Sequence, residues 1–215
     1  MSMEISLKIP CGEVVLDGDL VIPQKAKEVV LFAHGGGSSR KSPRNRFVAG
    51  VLQKFGLATL LFDLLTKEEE VEDNLTRALR FDIPLLAKRL QDATSWLKKQ
   101  KSYKNFSIGY FGASTGAAAA LIAAAKDVDI KAVVSRGGRP DLAKEHLPIV
   151  KAPTLLIVGG DDYDVLTLNR QVLALLTCEK KLEIIPGATH LFEEPGTLEK
   201  VADLASLWFC KNLSK

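Results

Sequence analysis

The sequence lacks long apolar runs. None of its 215 residues lies in a run of the roughly 18 consecutive apolar residues that a membrane-spanning helix requires. The first fifteen residues, MSMEISLKIPCGEVV, also lack the charged-then-apolar pattern of a secretory signal peptide. The sequence therefore predicts no membrane partner, and we expect a cytoplasmic location.

Cysteine is scarce as well. The three cysteines, Cys11, Cys178 and Cys210, are far apart and show no CxxC spacing. An odd and scattered set argues against both a disulfide framework and a zinc site. We expect free thiols, and nothing in the sequence predicts a metal or another cofactor.

The chain carries little net charge. A formal charge of +3 gives no strong general attraction to nucleic acid. Residues 35–42, GGGSSRKS, follow an apolar run and nearly match a phosphate-binding loop, with Lys41 and Ser42 in place. Arg40 occupies the position of the second glycine, which must allow close backbone approach to a phosphate. The sequence therefore disfavours both a nucleic-acid partner and a nucleotide site.

What the sequence does contain is a regular alternation of short apolar runs and helical stretches. Residues 4–9 and 13–22 alternate apolar and polar side chains and predict an antiparallel strand pair at a sheet edge. Six continuous apolar runs follow, as a parallel sheet buried on both faces requires. They cover residues 29–33, 57–63, 106–111, 130–135, 153–158 and 181–185.

Helical patterns between these runs predict a doubly wound α/β fold, with a mostly parallel sheet, in one domain over residues 1–215. The predicted helices are 47–55, 83–99, 115–125, 167–176 and 198–212. The acidic stretch 66–82 is expected to be a solvated loop or helix that partly covers the site. The segment between runs 130–135 and 153–158 is too short for a large cap domain.

Ser114 lies at the centre of a motif with chemical meaning. Residues 112–116, Gly-Ala-Ser-Thr-Gly, match G-x-S-x-G, the sharp turn that lifts a nucleophilic serine between a strand and a helix. The match alone is only suggestive, but an apolar run precedes it and an alanine-rich helical stretch follows it. We therefore predict that Ser114 is a nucleophile.

A serine nucleophile needs a base, and the base needs an acid to orient it. The chain has three histidines. In hydrolases with the G-x-S-x-G turn, the order along the chain is serine, acid, histidine. His34 precedes Ser114 and cannot satisfy this order. His146 follows Ser114 but precedes any acid at the end of the next strand. His190 is therefore the predicted base. Asp162, after run 153–158, is the predicted acid, with Asp161 as the alternative.

The cluster that includes Asp161 and Asp162 is a weak candidate for calcium, because the glycine and distal glutamate of a calcium loop are missing. We expect no metal there. The predicted oxyanion donors are the backbone N–H of Thr115 and an N–H in the glycine loop 34–37, with Gly36 at the centre of the candidate stretch. Which N–H donates stays open.

These motifs together resemble those of the α/β-hydrolase superfamily, and in particular small dienelactone-hydrolase-like proteins. The resemblance covers nearly the whole chain, including GYFGASTGAAAAL, VVSRGGRPDLA, TLLIVGGDDYDV and IIPGATHLFEEPG. It implies a carboxylic ester hydrolase with Ser114, Asp162 and His190 as its triad. Dienelactone hydrolases proper have a cysteine nucleophile, so the resemblance does not extend to their substrate. Similar proteins are sometimes fused to phosphoribosyltransferase domains.

Several basic residues could contact a small ester substrate. His34 begins the glycine loop, Arg44 and Arg46 follow it, and Arg136 and Arg139 follow run 130–135. The arginines could bind an anionic acyl group or phosphate. The favoured alternative is structural, namely ion pairs with carboxylates such as those of Asp141 or Asp63.

Three further alternatives stay open. The same triad would serve thioester or lactone cleavage and acyl transfer, which the sequence does not separate from ester hydrolysis. A protein of this fold could also be a noncatalytic binding scaffold, although such scaffolds usually lose a triad member. The oligomeric state is not predicted.

Overall fold

A computed structural model describes residues 2–214 of the chain. They form an eight-stranded sheet in the order β1-β2-β4-β3-β5-β6-β7-β8. β2 runs antiparallel to both of its neighbours, β1 and β4, and the pairings from β4 to β8 are parallel. The strands are β1 (Met3–Cys11), β2 (Val14–Ile22), β3 (Glu28–Ala33), β4 (Ala58–Phe62), β5 (Ser107–Ala113), β6 (Ile130–Arg136), β7 (Thr154–Gly159) and β8 (Lys180–Ile185).

Helices connect the strands and cover both faces of the sheet. Two short 3₁₀ segments, Leu79–Phe81 and Pro140–Ile149, complete the structure. The α-helices are α1 (Pro43–Lys54), α2 (Lys67–Thr76), α3 (Ile83–Lys99), α4 (Thr115–Lys126), α5 (Tyr163–Leu175) and α6 (Thr197–Leu213). The predicted mostly parallel α/β fold with an antiparallel N-terminal pair is thus confirmed.

Two separate hydrophobic cores, one on each face of the sheet, explain the continuous apolar runs of the sequence. Along β3, Val29 and Leu31 belong to the core under α3 and α4, whereas Val30 and Phe32 belong to the core under α1 and α6. Successive side chains of a strand point to opposite faces, so a strand covered on both faces is apolar at every position.

Some elements differ from the sequence-based expectation. Helix α1 begins four residues early, because Ser42 caps it by accepting the Asn45 N–H at 3.3 Å and Pro43 fits the first turn. Residues 66–82 contain α2, which begins with a reciprocal capping box between Thr66 and Glu69. The 3₁₀ segment 140–149 was not predicted, because its hydrophobic pattern follows neither the helix nor the strand period.

The parallel strands place their carboxyl ends at one edge of the sheet. The loops after β3, β5, β6, β7 and β8 therefore meet there, which is where sheets of this type bind ligands. Among residues 2–214, every helix falls short of the length and apolar character needed to cross a bilayer. The same residues contain no cluster of His, Cys, Asp or Glu suited to hold a metal ion.

Candidate active site

Ser114 occupies a strained turn between β5 and α4. Its φ of 51° and ψ of −122° are unusual for a residue other than glycine. Such a conformation costs on the order of 1–3 kcal/mol and persists only where surrounding structure enforces it. Ser114 stands at the N-cap of α4, yet its hydroxyl makes no capping hydrogen bond. The hydroxyl therefore lies at the sheet edge and does not stabilise the start of the helix.

The glycines on either side of Ser114 are required by close packing. A Cβ at Gly112 would lie 2.4 Å from the Ala117 Cα, and a Cβ at Gly116 would lie 2.1 Å from the Ala33 carbonyl oxygen. Both distances are far below any van der Waals contact. The spacing of the motif is thus explained by the approach of α4 to β3 and by the tightness of the turn.

His190 and Asp162 meet at the same edge. The His190 Nδ1 lies 2.6 Å from Asp162 Oδ2, a distance typical of a strong, charge-assisted hydrogen bond. Asp162 stands at the N-cap of α5 without capping it, because its carboxylate is turned to the histidine. Asp161, the alternative acid, is exposed and makes no contact with His190 among the described residues.

The loop that carries His190 is fixed on both sides. Glu194 accepts hydrogen bonds from the Thr189 hydroxyl at 2.6 Å and from the Thr189 N–H at 3.1 Å. Gly159 allows the loop to approach β7, because a Cβ there would lie 2.2 Å from the Ala188 carbonyl oxygen. The sequence analysis missed Glu194, which a search for acidic residues close after His190 would have found.

Ser114 and His190 line one open cleft of about 190 Å³. They do not form a hydrogen bond with each other in the described chain. His190 uses Nδ1 for Asp162, so Nε2 is the nitrogen that remains free for Ser114. The rest of the lining is Gly35, Gly36, Ser38, Ser42, Arg44, Asn45, Ala113, Arg136 and Leu191. Residues 66–82 contribute nothing to this lining, so the cover expected from them is not found.

The glycine loop contains Gly36, the centre of the stretch predicted to supply an oxyanion donor. The Gly36 N–H donates to the Thr115 Oγ1 at 3.0 Å and is therefore not a free donor in this structure. The sequence analysis considered only the backbone N–H of Thr115. Its side chain holds the loop against the first turn of α4 through this hydrogen bond. The Thr115 N–H lies in that first turn, where backbone N–H groups lack helical partners.

His34 has a structural position. Its Nε2 accepts the Leu64 N–H at 3.0 Å and its Nδ1 lies 2.9 Å from the Gly35 carbonyl oxygen. These contacts require the neutral ring with the proton on Nδ1, and burial lowers the pKa of His34, which favours that form. Neither nitrogen is left for a substrate, so the expected binding role of His34 is not supported.

Residues after α2 hold the other side of the glycine loop. The Arg80 side chain lies against Gly36 and Gly37, and a Cβ at Gly36 would be only 2.9 Å from the Arg80 Cβ. Asp73 is buried and accepts from the Arg80 N–H at 2.8 Å and from Nε at 2.7 Å. The acidic segment thus supports the loop from behind rather than covering the cleft.

The candidate arginines differ in their partners. Arg139 forms a two-pronged ion pair with Asp141, at 2.9 and 2.8 Å, as the structural alternative anticipated. Arg44 bonds the exposed Glu193 at 3.1 Å, and Arg46 is exposed. Arg139 is therefore neutralised within its own loop, while Arg44 remains at the rim of the cleft.

Among residues 2–214, the Arg136 side chain has no carboxylate partner. It is 7% exposed, and the one hydrogen bond of its guanidinium is a 3.3 Å contact from Nη2 to Asn45 Oδ1. Burial, with repulsion from Arg44, lowers the pKa of Arg136 to about 10, so the guanidinium is still charged at neutral pH. The Phe192 ring lies 6.0 Å from the guanidinium carbon.

The chain is similar in sequence and in structure to known proteins. A family model described as "Dienelactone hydrolase family" matches residues 16–207. The chain belongs to the dienelactone hydrolase family. This family member is similar to a crystal structure of dienelactone hydrolase from Anabaena variabilis, with 60% identity, 99% of each chain covered and a TM-score of 0.97.

More distant neighbours show the same fold. Est1E from Butyrivibrio proteoclasticus has 17% identity to this dienelactone hydrolase family member over 98% of this chain and 99% of its own, with a TM-score of 0.81. Est1E shows the fold alone, whereas membership of the dienelactone hydrolase family supports hydrolase activity.

Curated relatives carry a different name. Two Mycobacterium tuberculosis proteins, from strains CDC 1551 and H37Rv, are each 57% identical over 208 residues and are called "Putative phosphoribosyl transferase". The match covers 96% of this chain and 46% of theirs, so the chain spans about half the length of these relatives. Their name describes proteins about twice as long and does not identify the activity of the matched half.

Proposed function

We propose that this protein hydrolyses carboxylic esters through an acyl-enzyme on Ser114. The observation that carries the proposal is the 2.6 Å bond from His190 to Asp162 beside a cleft lined by a strained, uncapped Ser114. A carboxylate that orients an imidazole next to an exposed hydroxyl is the arrangement that activates serine as a nucleophile.

In the first half of the reaction, Ser114 Oγ attacks the ester carbonyl while His190 Nε2 accepts the hydroxyl proton. The negative charge that forms on the carbonyl oxygen is stabilised by the Thr115 N–H at the start of α4. The tetrahedral intermediate then collapses. The C–O bond to the leaving alcohol breaks, and His190 gives that oxygen its proton.

In the second half, His190 accepts a proton from water, and the water oxygen attacks the acyl-enzyme carbonyl. Collapse of the second intermediate breaks the bond to Ser114 Oγ, which recovers its proton from His190. Asp162 stays ionised throughout and stabilises the imidazolium. The Ser114 to His190 hydrogen bond forms as substrate binds, because such contacts are often long in unliganded enzymes.

The second oxyanion donor comes from the glycine loop. For Gly36 to serve, its N–H must turn from the Thr115 hydroxyl to the oxyanion. This exchange is small in distance because Thr115 and Ser114 are neighbours. The same machinery cleaves thioesters and lactones, which differ in the leaving group alone, and transfers the acyl group when an alcohol replaces water.

The direct test is labelling with a fluorophosphonate, followed by peptide mass spectrometry and by turnover of short p-nitrophenyl esters. We expect one adduct on Ser114, and loss of both adduct and turnover in Ser114→Ala. A His190→Ala protein should fold normally and lose most of its turnover.

Two outcomes would contradict the proposal. Turnover at the wild-type rate in His190→Ala would remove that residue from the mechanism. A well-folded protein that gives neither adduct nor turnover would favour the binding-scaffold alternative instead.

A further inference from the structure

The end of β6 places Arg136 beside the proposed nucleophile. Arg136 pairs in register with Ala113 on β5, and its carbonyl oxygen accepts the Ser114 N–H at 3.2 Å. Arg136 lines the cleft together with Ser114 and His190, and its guanidinium contacts Asn45, which is also in the lining. The Arg136 side chain therefore lies next to the position at which a substrate carbonyl would be attacked.

The pairing of the other enclosed arginines shows how unusual Arg136 is. Arg40 bonds Asp63, Arg80 bonds Asp73, and Arg89 bonds Glu69. The more exposed Arg139 bonds Asp141. Among residues 2–214, arginines removed from solvent are thus matched by a carboxylate, with Arg136 as the exception.

Within the part of the chain that the structure describes, the cleft around Arg136 contains no anionic side chain. The lining of the cleft contains Arg44, Arg136 and His190 and neither aspartate nor glutamate. The Nε of Arg136 is buried with no hydrogen-bond partner among the described residues. The Nε atoms of Arg40, Arg44 and Arg89 are unpartnered too, but each of those arginines has an ion pair with a carboxylate. A buried cation without a counter-ion is unfavourable, and Arg136 is kept in place by the contact with Asn45 and by the Phe192 ring.

An anion in the cleft would satisfy these groups. The planar guanidinium fork suits carboxylate and phosphate oxygens in particular. The first turn of α1, with Ser42 and Asn45 in the same lining, adds the positive end of a helix dipole. Arg44, on the same helix, lies at the rim, where the exposed Glu193 offsets part of its charge.

We propose that Arg136 binds an anionic oxygen group, a carboxylate or a phosphate, on the substrate ester, and that the protein prefers esters with such a group. This inference rests on the proposed function, because it assigns a substrate class to the same cleft. It selects Arg136 from the four arginines as the one whose counter-ion is supplied by the ligand.

A matched pair of substrates tests the preference. Mono-p-nitrophenyl succinate carries a carboxylate, and p-nitrophenyl methyl succinate has the same acyl chain with that charge removed. We expect the wild type to show a kcat/KM at least 10-fold higher for the charged ester. In Arg136→Met the ratio should fall to about 1.

Two further variants support the reading of that experiment. Arg136→Lys keeps the charge without the fork and should retain part of the preference, which covers the case in which the Met variant does not fold. Arg170→Met removes an exposed cation on α5 and should leave the ratio as in the wild type. Inhibition of methyl ester turnover by succinate and by inorganic phosphate, compared at equal concentration, distinguishes the two anion classes.

Failure of this inference differs from failure of the proposed function. If the neutral ester is hydrolysed with no preference for the charged one, the anion site is overturned and the hydrolase stands. If no ester is hydrolysed and Ser114 is not labelled, calorimetry with succinate and phosphate decides. Binding that Arg136→Met abolishes supports the anion site without hydrolysis, and absence of binding to the wild type overturns it.

Discussion

At the scale of single residues, two helix N-caps are notable because they do not cap. Ser42, Thr66 and Asp82 each accept a backbone N–H with their side chains. Ser114 and Asp162 stand in equivalent positions without doing so. A side-chain cap contributes about 1 kcal/mol, so both sites forgo stability that their residue types could provide. The Ser114 hydroxyl is therefore left free, and the Asp162 carboxylate bonds His190.

Separate replacement of the adjacent Asp162 and Asp161 tests whether Asp162 is the acid that orients His190. Asp162→Asn should lower kcat by roughly 10³–10⁴, because the amide cannot hold the imidazole in the tautomer that accepts a proton at Nε2. Asp161→Asn is the matched control and should stay within about twofold of the wild type, since Asp161 is exposed. Steady-state ester turnover measures both variants. Equal losses in the two variants would contradict the assignment of Asp162.

At the scale of elements, the approach of α4 to the sheet depends on small residues. Gly116→Ala should destabilise the fold by about 3 kcal/mol or more, because the new Cβ would lie 2.1 Å from the Ala33 carbonyl oxygen in the rigid end of β3. Gly50→Ala in α1 has open space and should stabilise by about 0.5–1 kcal/mol. Urea unfolding measures both changes, and a neutral Gly116→Ala would show that α4 can shift outward.

The pair Asp73 and Arg80 links the acidic segment to the glycine loop. Burial raises the pKa of Asp73, but the hydrogen bonds and charge of Arg80 outweigh it and the net pKa lies below its ordinary value. A pKa lowered by folding gives stability that is present above the unfolded value of about 3.9 and is lost as pH falls through the folded value.

Asp73→Asn should therefore destabilise the protein by about 1–3 kcal/mol at pH 7, because the Arg80 guanidinium loses its carboxylate. The difference from the wild type should begin to shrink below about pH 4, because there the carboxyl of the unfolded chain takes up a proton while that of the folded protein is still ionised. Glu72→Gln, exposed on the same helix, is the control and should change stability by less than about 0.5 kcal/mol. A difference that persists unchanged at pH 3 would contradict the role of the Asp73 charge.

At the scale of the whole molecule, the three cysteines are free, as the sequence indicated. Burial is the largest cause that raises the pKa of Cys11, to about 11, so its thiolate is negligible at pH 8. The thermal midpoint should therefore be the same with and without a reducing agent. In a thiol titration at pH 8, Cys11 should react only after denaturation, and rapid reaction of Cys11 in the native protein would show that the antiparallel edge opens.

Part of the site could be predicted because its signals are local. The G-x-S-x-G spacing, the order of serine, acid and histidine, and the apolar runs each depend on residues close in sequence. The bond between His190 and Asp162 confirms their predicted proximity, whereas their catalytic roles stay predictions. His34 and Gly36 were assigned to the site by position along the chain, and the structure shows both engaged elsewhere, by Leu64 and Thr115.

The sequence by itself determined the class of fold, since strands apolar at every position require a sheet covered on both faces. It also determined the turn at Ser114, because only glycines fit beside it. The tertiary structure alone decided the pairing of charged residues whose partners are far away in the sequence. Arg139 pairs with Asp141, which lies two residues away in the sequence. The partners of Arg44 and Arg136, by contrast, are Glu193 and Asn45, which only folding brings close. Because Arg136 is buried, its charge without a carboxylate partner costs free energy, and the sequence does not show this cost.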